Sequence, residues 1–226
     1  MTTMNFTELD ISAIAVGAGR TLTTATLSNL TLDGRRLEQR FRMDAGRCPF
    51  GSGKWHKPQV HCDGATADKW RALDRLVLGA VSARGDQDRF AYKNALREDE
   101  TYGPSVEFKI DPDACRVWRL VDGNRTEASL DDLKGSTVVT IFRIAFLSQY
   151  RNNGGQSKLK LVAESFLILP EGDAAGAPAH AVPVDDFGEY EPSSSKRRFE
   201  GASAPTKKQK CGEHAETKHA PETKGE

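Results

Sequence analysis

Ser136-Thr137-Val138-Val139-Thr140-Ile141-Phe142-Arg143-Ile144-Ala145-Phe146-Leu147-Ser148 is an unbroken β-type run, followed by Arg151-Asn152-Asn153-Gly154-Gly155. The chain then returns through Gln156-Ser157-Lys158-Leu159-Lys160-Leu161-Val162-Ala163 to Leu169. Val, Ile, Thr and Phe suit a pleated, half-buried surface, and Asn-Gly supplies the backbone freedom of a tight reversal. The stretch reads as a long hairpin. Upstream, Ser105-Val106-Glu107-Phe108-Lys109-Ile110 reads as another strand, with Asp111-Pro112-Asp113-Ala114 as a turn and 115–121 as its return. Between the two pairs, Ser129 with Asp132 three residues on reads as the cap of a single helical turn, stopped at Gly135. Four strands within residues 102–169 have the density of an all-β barrel or sandwich.

Alternation assigns faces. Cys115, Val117 and Val121 read as buried, which turns Arg116 and Trp118 outward. Leu159, Leu161, Ala163 and Leu167 read as buried, which turns Lys158, Lys160 and Glu164 outward. The run 137–147 is apolar on both faces, as a central strand should be, with Arg143 the exception.

Further upstream, apolar residues alternate at Leu9, Ile11 and Ala13. A Thr-rich run over 22–32 ends at the turn dipeptide Asp33-Gly34. In 36–43, Leu37, Phe41 and Met43 share one face, and Arg36, Glu38, Arg40 and Arg42 share the other. Such an arginine face is either a solvated surface or a phosphate track. One helix is clear: Thr66 can cap it, and Trp70, Leu73, Leu76, Val77, Ala80 and Val81 recur at helical spacing. Asp68, Lys69, Arg71, Asp74 and Arg75 fill its other face, and it reads as a packing helix across the mouth of the barrel.

The chain has 226 residues and a net charge of zero. Residues 1–170 hold 24 Lys and Arg against 21 Asp and Glu, and residues 171–226 hold 8 against 11. Aliphatic runs stop after Leu169, so 1–170 reads as one domain and 171–226 as a disordered tail unable to offset its ordering entropy. A mildly basic body is weak support for a polyanionic partner. The four cysteines form no framework, and no apolar stretch approaches membrane-spanning length. The expectation is a reduced, intracellular protein with no membrane partner.

Gly51-Ser52-Gly53-Lys54 is no phosphate loop: Cys48 stands where the first glycine belongs, and Trp55 where a hydroxyl must meet magnesium. Cys48, His56, His61 and Cys62 fit no common zinc spacing. No nucleophile elbow or paired-carboxylate motif is present. The expectation is a non-enzyme without metal or cofactor. Exposed cations interleaved with aromatics are instead what a single-strand binder uses, bases stacking while cations follow the backbone. The candidate nucleic-acid-binding residues are Arg36, Arg40, Arg42, Lys54, Trp55, Arg116, Trp118, Arg143, Tyr150, Arg151, Lys158 and Lys160. Whether Trp118 is a stacking surface or core stays open.

In the tail, Asp185, Asp186, Phe187, Glu189, Tyr190 and Glu191 form an acidic-aromatic patch able to meet a partner or a basic groove. Lys196, Arg197 and Arg198, followed by Lys207, Lys208 and Lys210, resemble a two-part nuclear-import signal.

Several motifs in order carry a family resemblance: Phe41-Arg42-Met43 leading to Cys48-Pro49-Phe50-Gly51; the helix with Leu73-Asp74; Tyr102-Gly103-Pro104-Ser105; Leu133-Lys134-Gly135-Ser136-Thr137-Val138; and Lys158-Leu159-Lys160-Leu161. Over roughly residues 5–169 the chain resembles the single-stranded-DNA-binding proteins of nucleocytoplasmic large DNA viruses, themselves similar to the short-tailed phage type. The resemblance implies a mainly β, OB-fold-like barrel with an inserted helix. It also implies single-stranded DNA binding without sequence preference in viral replication, recombination or repair, and a tail that contacts replication proteins. A homodimer fits it, as does a location in the nucleus or at a viral replication site of a eukaryotic host. The tail departs from the family, since its acidic patch is internal and the chain ends Lys224-Gly225-Glu226. The alternative is a β-barrel virion or protein-interaction module without nucleic-acid binding.

Overall fold

The spine of the molecule is the long hairpin of residues 136–168. In the computed structural model, which describes residues 3–51, 57–84, 91–150 and 155–170, the chain runs β1 (Thr3–Asn5), β2 (Ile14–Thr21), β3 (Ala25–Leu32), β4 (Arg35–Arg36), β5 (Arg40–Cys48) and β6 (Gln59–His61). Then come α1 (Gly64–Ala83), β7 (Ala91–Lys93), β8 (Leu96–Arg97), β9 (Ser105–Glu107), β10 (Arg116–Val121), β11 (Asn124–Glu127), β12 (Ser136–Tyr150) and β13 (Gln156–Ile168).

β12 pairs with β13 from Val138 to Tyr150. Its other edge is shared: β5 covers residues 136–143 and β3 covers 147–150. The far edge of β13 meets β7 at 156–158, Lys109 at Val162 and β10 at 165–168. A second, three-stranded sheet joins β6, β9 and β8. Among the described residues the architecture is mainly β, a curled sheet with one inserted α-helix, consistent with an OB-like fold. Among the described residues no helix is long and apolar enough to cross a membrane.

An aromatic cluster fills the inner face of this sheet. Trp70 of α1 lies 4.2 Å from the Phe6 ring and 5.6 Å from Phe142 of β12, and Phe41 and Phe108 flank Phe142 at 5.7 and 5.1 Å. All five are fully buried. Each such side chain contributes roughly 1.5–3 kcal/mol of apolar transfer, so α1 is held by Trp70 together with Leu73, Val77 and Val81 of the same face. The cap differs from the expected one. Asp63, not Thr66, is the N-cap, its carboxylate accepting from the Thr66 N–H at 2.7 Å.

Asp74 also departs from the sequence reading. It is buried, not on a solvated face. Its carboxylate accepts from the Tyr92 hydroxyl at 2.6 Å and from the Ala95 and Leu96 N–H groups at 2.9 and 3.1 Å. Burial pushes its pKa up, against those three bonds. It tethers the segment carrying β7 and β8 to the helix.

Other differences have local causes. The alternation at Leu9, Ile11 and Ala13 belongs to two 3-10 turns, Phe6–Glu8 and Ile11–Ala13, capped by Asn5 and Asp10. β9 stops at Glu107, short of the expected strand. Asp33-Gly34 is the expected tight turn, with φ of 49° and 75°. Asp122-Gly123 repeats that conformation and builds a β10–β11 hairpin that period-2 reading missed. Positive φ at both central residues is what two-residue hairpins require.

Candidate nucleic-acid interface

Residues paired across adjacent strands share a face, so the registers define what the outer side of the sheet presents. Lys93, Lys158, Ser148 and Leu27 form one row. Lys160 pairs with Phe146. Lys109, Val162, Arg143 and Arg40 form the next row, and Arg116, Ser165, Ile141 and Arg42 the one after it. Trp118, Leu167 and Val139 follow. From Lys158 to Leu167 the strand covers about 30 Å at ordinary β rise. Cations therefore lie along this face from the Lys158 row to the Arg116 row, with Phe146 among them, and the Trp118 row beyond is apolar.

Two β-bulges arrange it. One lies between Ile141 and Phe142, where β13 carries Glu164 as its extra residue, and the other between Ile144 and Phe146, where the extra residue is Ala145. A bulge re-aims side chains and bends the strand. The first brings Glu164 next to Ser165 on the outer face. It also explains why Leu167, buried as expected, belongs to an outer apolar cluster with Leu120, Val139, Ile141 and Leu169 instead of to the main core.

Trp118 is half-buried and packs on that outer cluster. It is neither main core nor fully exposed. Leu120 shares its face and is buried, and Val121, expected inside with Val117, is 45 % exposed at the hairpin end.

Beside Trp118 lies a concavity of about 710 Å³ whose walls include Arg40, Arg116, Trp118, Arg125, Arg143 and Glu164. Glu164 sits between two of the arginines, Oε2 2.7 Å from Arg40 Nε and Oε1 3.1 Å from Arg143 Nε. Arg116 lies 4.0 Å from Glu127.

At the other end the cations crowd. Lys158 and Lys160 face Lys57, Lys93, Lys109 and Arg97, with Glu107 the countercharge. Burial, then Lys109, Lys158 and Lys57, pushes the Lys160 pKa down to about 8. Lys158 is lowered too, by burial and then by Lys57. Crowded ammoniums lower one another's pKa, and an incoming anion relieves the strain.

Of the candidates from sequence, Arg40, Arg42, Arg116, Trp118, Arg143, Lys158 and Lys160 meet on this face, and Tyr150 lies at its hairpin end, 40 % exposed. Arg36 stands apart. It is on β4, which pairs with β3 at Thr31 and Leu32, away from the part of β3 that meets β12, and lies 3.5 Å from Glu38. Lys54, Trp55 and Arg151 lie outside the described residues, as do Asp185, Asp186, Phe187, Glu189, Tyr190, Glu191 and the basic clusters from Lys196 to Lys210. Sequence reading missed Lys57, Lys93, Lys109, Arg125 and Phe146. Lys109 was legible from the alternation of 105–110, and Phe146 was hidden in a strand apolar on both faces.

Among the described residues no group of three or more His, Cys, Asp or Glu is placed to hold a metal. Burial pushes the thiols of Cys48, Cys62 and Cys115 up to about 11, 12 and 12, which leaves them protonated at neutral pH and weak as nucleophiles or ligands.

No protein-family model and no curated protein matches the chain. Solved structures similar to it include the single-stranded DNA-binding protein from bacteriophage Enc34 with a C-terminal truncation, at a TM-score of 0.37 and 10 % identity over 71 % of this chain and 96 % of that one. The Enc34 protein in complex with single-stranded DNA gives 0.35 and 11 % over 71 % and 98 %.

Proposed function

We propose that this chain binds single-stranded DNA on the outer face of its sheet and performs no chemistry on it. The observation that carries the reading is the file of cations from Lys158 to Arg116, with Phe146 within it and Trp118 next to its end. Phosphates are neutralised along the file while bases stack on the two rings. Stacking requires unpaired bases, which is why a single strand fits and a closed duplex does not. Backbone neutralisation reads no sequence, so most of the track accepts any base.

The finer reading places this binding in viral DNA replication, recombination or repair, with the tail meeting replication proteins and the basic clusters directing nuclear import. It rests on the motif order and tail composition described above.

The test is titration of a labelled oligo-dT at several salt concentrations. Five neutralised phosphates give a slope of log affinity against log salt of about −3.5. Absence of binding at low salt refutes the proposal. Competition with poly-U separates DNA from RNA preference.

A further inference from the structure

Glu164 is out of place in a phosphate track. A carboxylate in the middle of the cationic face repels phosphate, yet a bulge aims this one at the Trp118 concavity and two arginines hold it there. We propose that the concavity is a base pocket with a preference for guanine, so that a strand bound without sequence reading elsewhere is read at one position. This rests on the single-strand reading above.

A carboxylate attracts N–H donors, and the bases differ in how many they present side by side. Guanine's Watson–Crick edge offers two adjacent donors, the 2-amino group and N1–H, followed by the O6 acceptor. Each Glu164 oxygen is ion-paired, Oε2 with Arg40 and Oε1 with Arg143, so their remaining lone pairs are the two acceptors, and the Arg143 guanidinium beside Oε1 is a donor. That order, acceptor, acceptor, donor, complements guanine alone. Thymine and uracil place one donor between two carbonyls, which a carboxylate repels. Cytosine and adenine each offer one amino donor beside a ring-nitrogen acceptor. Charge-assisted bonds of this kind are the strong ones.

The remaining walls suit a base as well. Trp118 supplies a half-buried aromatic surface for stacking. Arg116 and Arg125 stand on the same walls as cations for the flanking phosphates. The volume lies within the usual range for small-ligand pockets and holds a purine nucleoside.

The experiment compares a (dT)12 carrying one central dG with the same strand carrying dA, dC or deoxyinosine, using the full chain at fixed salt. A single guanine avoids four-stranded assembly, and inosine keeps N1–H and O6 but lacks the 2-amino donor. The dG strand is expected to bind about tenfold tighter than (dT)12, within the discrimination of a bidentate contact, with inosine between them. The Glu164→Gln variant is expected to lose the preference while keeping or gaining affinity for (dT)12, because a repelling charge is gone. If its thermal melt shows that it does not fold, Glu164→Asp, which withdraws the carboxylate by one methylene, serves in its place with the same expected loss. Equal affinity of wild type for dG and dT strands overturns the pocket and leaves strand binding standing, as does a preference that survives the substitution. Failure of wild type to bind any of the strands removes the function itself.

Discussion

Lys160 ties the proposed interface to a proton. Its ammonium is half-buried on β13 beside Lys109, Lys158 and Lys57, with Glu107 as a countercharge, and its pKa is pushed down to about 8. A bound phosphate supplies the missing countercharge and returns the group toward ordinary lysine behaviour, near 10.4. Binding and protonation are then linked. Below pH 8 the free protein already carries the charge and affinity is flat. Above it the strand must recruit a proton, and affinity falls by up to tenfold per pH unit. A group titrating at 8 is about 91 % charged at pH 7 and about 3 % at pH 9.5, so the largest expected loss is roughly thirtyfold, whereas an unperturbed lysine loses little.

Folding stability moves the other way. A base whose pKa is depressed in the folded state binds more protons when unfolded, so its contribution to stability increases as pH rises from about 8 to about 10.4. The assay is fluorescence anisotropy of labelled oligo-dC, whose bases do not titrate in this window, at constant ionic strength from pH 6.5 to 9.5. Calorimetry in two buffers of different ionisation heat counts the proton taken up. Lys160→Met should remove the steep limb, lower affinity at pH 7 and leave stability equal or higher. A flat affinity to pH 9.5 in wild type, or an unchanged limb in Lys160→Met, refutes the linkage.

Trp118→Ala and Phe146→Ala should each weaken binding by about 5- to 150-fold, the worth of one stacked base, with smaller effects on thermal stability than Phe142→Ala. A melting loss as large as that of Phe142→Ala assigns the ring to packing alone. Asp74→Ala leaves the Tyr92 hydroxyl and two backbone N–H groups without their acceptor and should cost about 3 kcal/mol in denaturant unfolding. A loss under about 0.5 kcal/mol shows that water replaces the carboxylate.

The hairpin β12–β13, the helix and the Asp33-Gly34 turn were legible because each signal is local: β-branched runs, an apolar stripe, a dipeptide that tolerates positive φ. What escaped was decided by neighbours. Asp74 looks like one more charge on a solvated helix face until Ala95 and Leu96 bring their N–H groups to it. Lys57 and Lys93 lie in short irregular stretches with no period to fix a face, and join Lys158 only through the pairing of β7 and the approach of β6. Arg36 shares alternation with Arg40 and Arg42, but the chain breaks between β4 and β5 and carries it elsewhere. Glu164 reads as outward from alternation. Its position between two arginines follows from a bulge, which leaves no mark in composition.

The two bulges of that hairpin form a matched pair. The Cα pairing slips by one residue after Ile141 and slips back before Phe146, so only Phe142, Arg143 and Ile144 sit in the displaced window. Each strand changes which parity faces the core as it passes through. Even-numbered residues of β12 point inward up to Ile144, and odd-numbered ones from Leu147. In terms of descent, this hairpin resists single-residue insertion or deletion, because one such event carries an entire half-strand of leucines to the surface and a file of lysines into the core. A length change in one strand has to be answered by one in the other, and related chains should differ here by paired steps or by none.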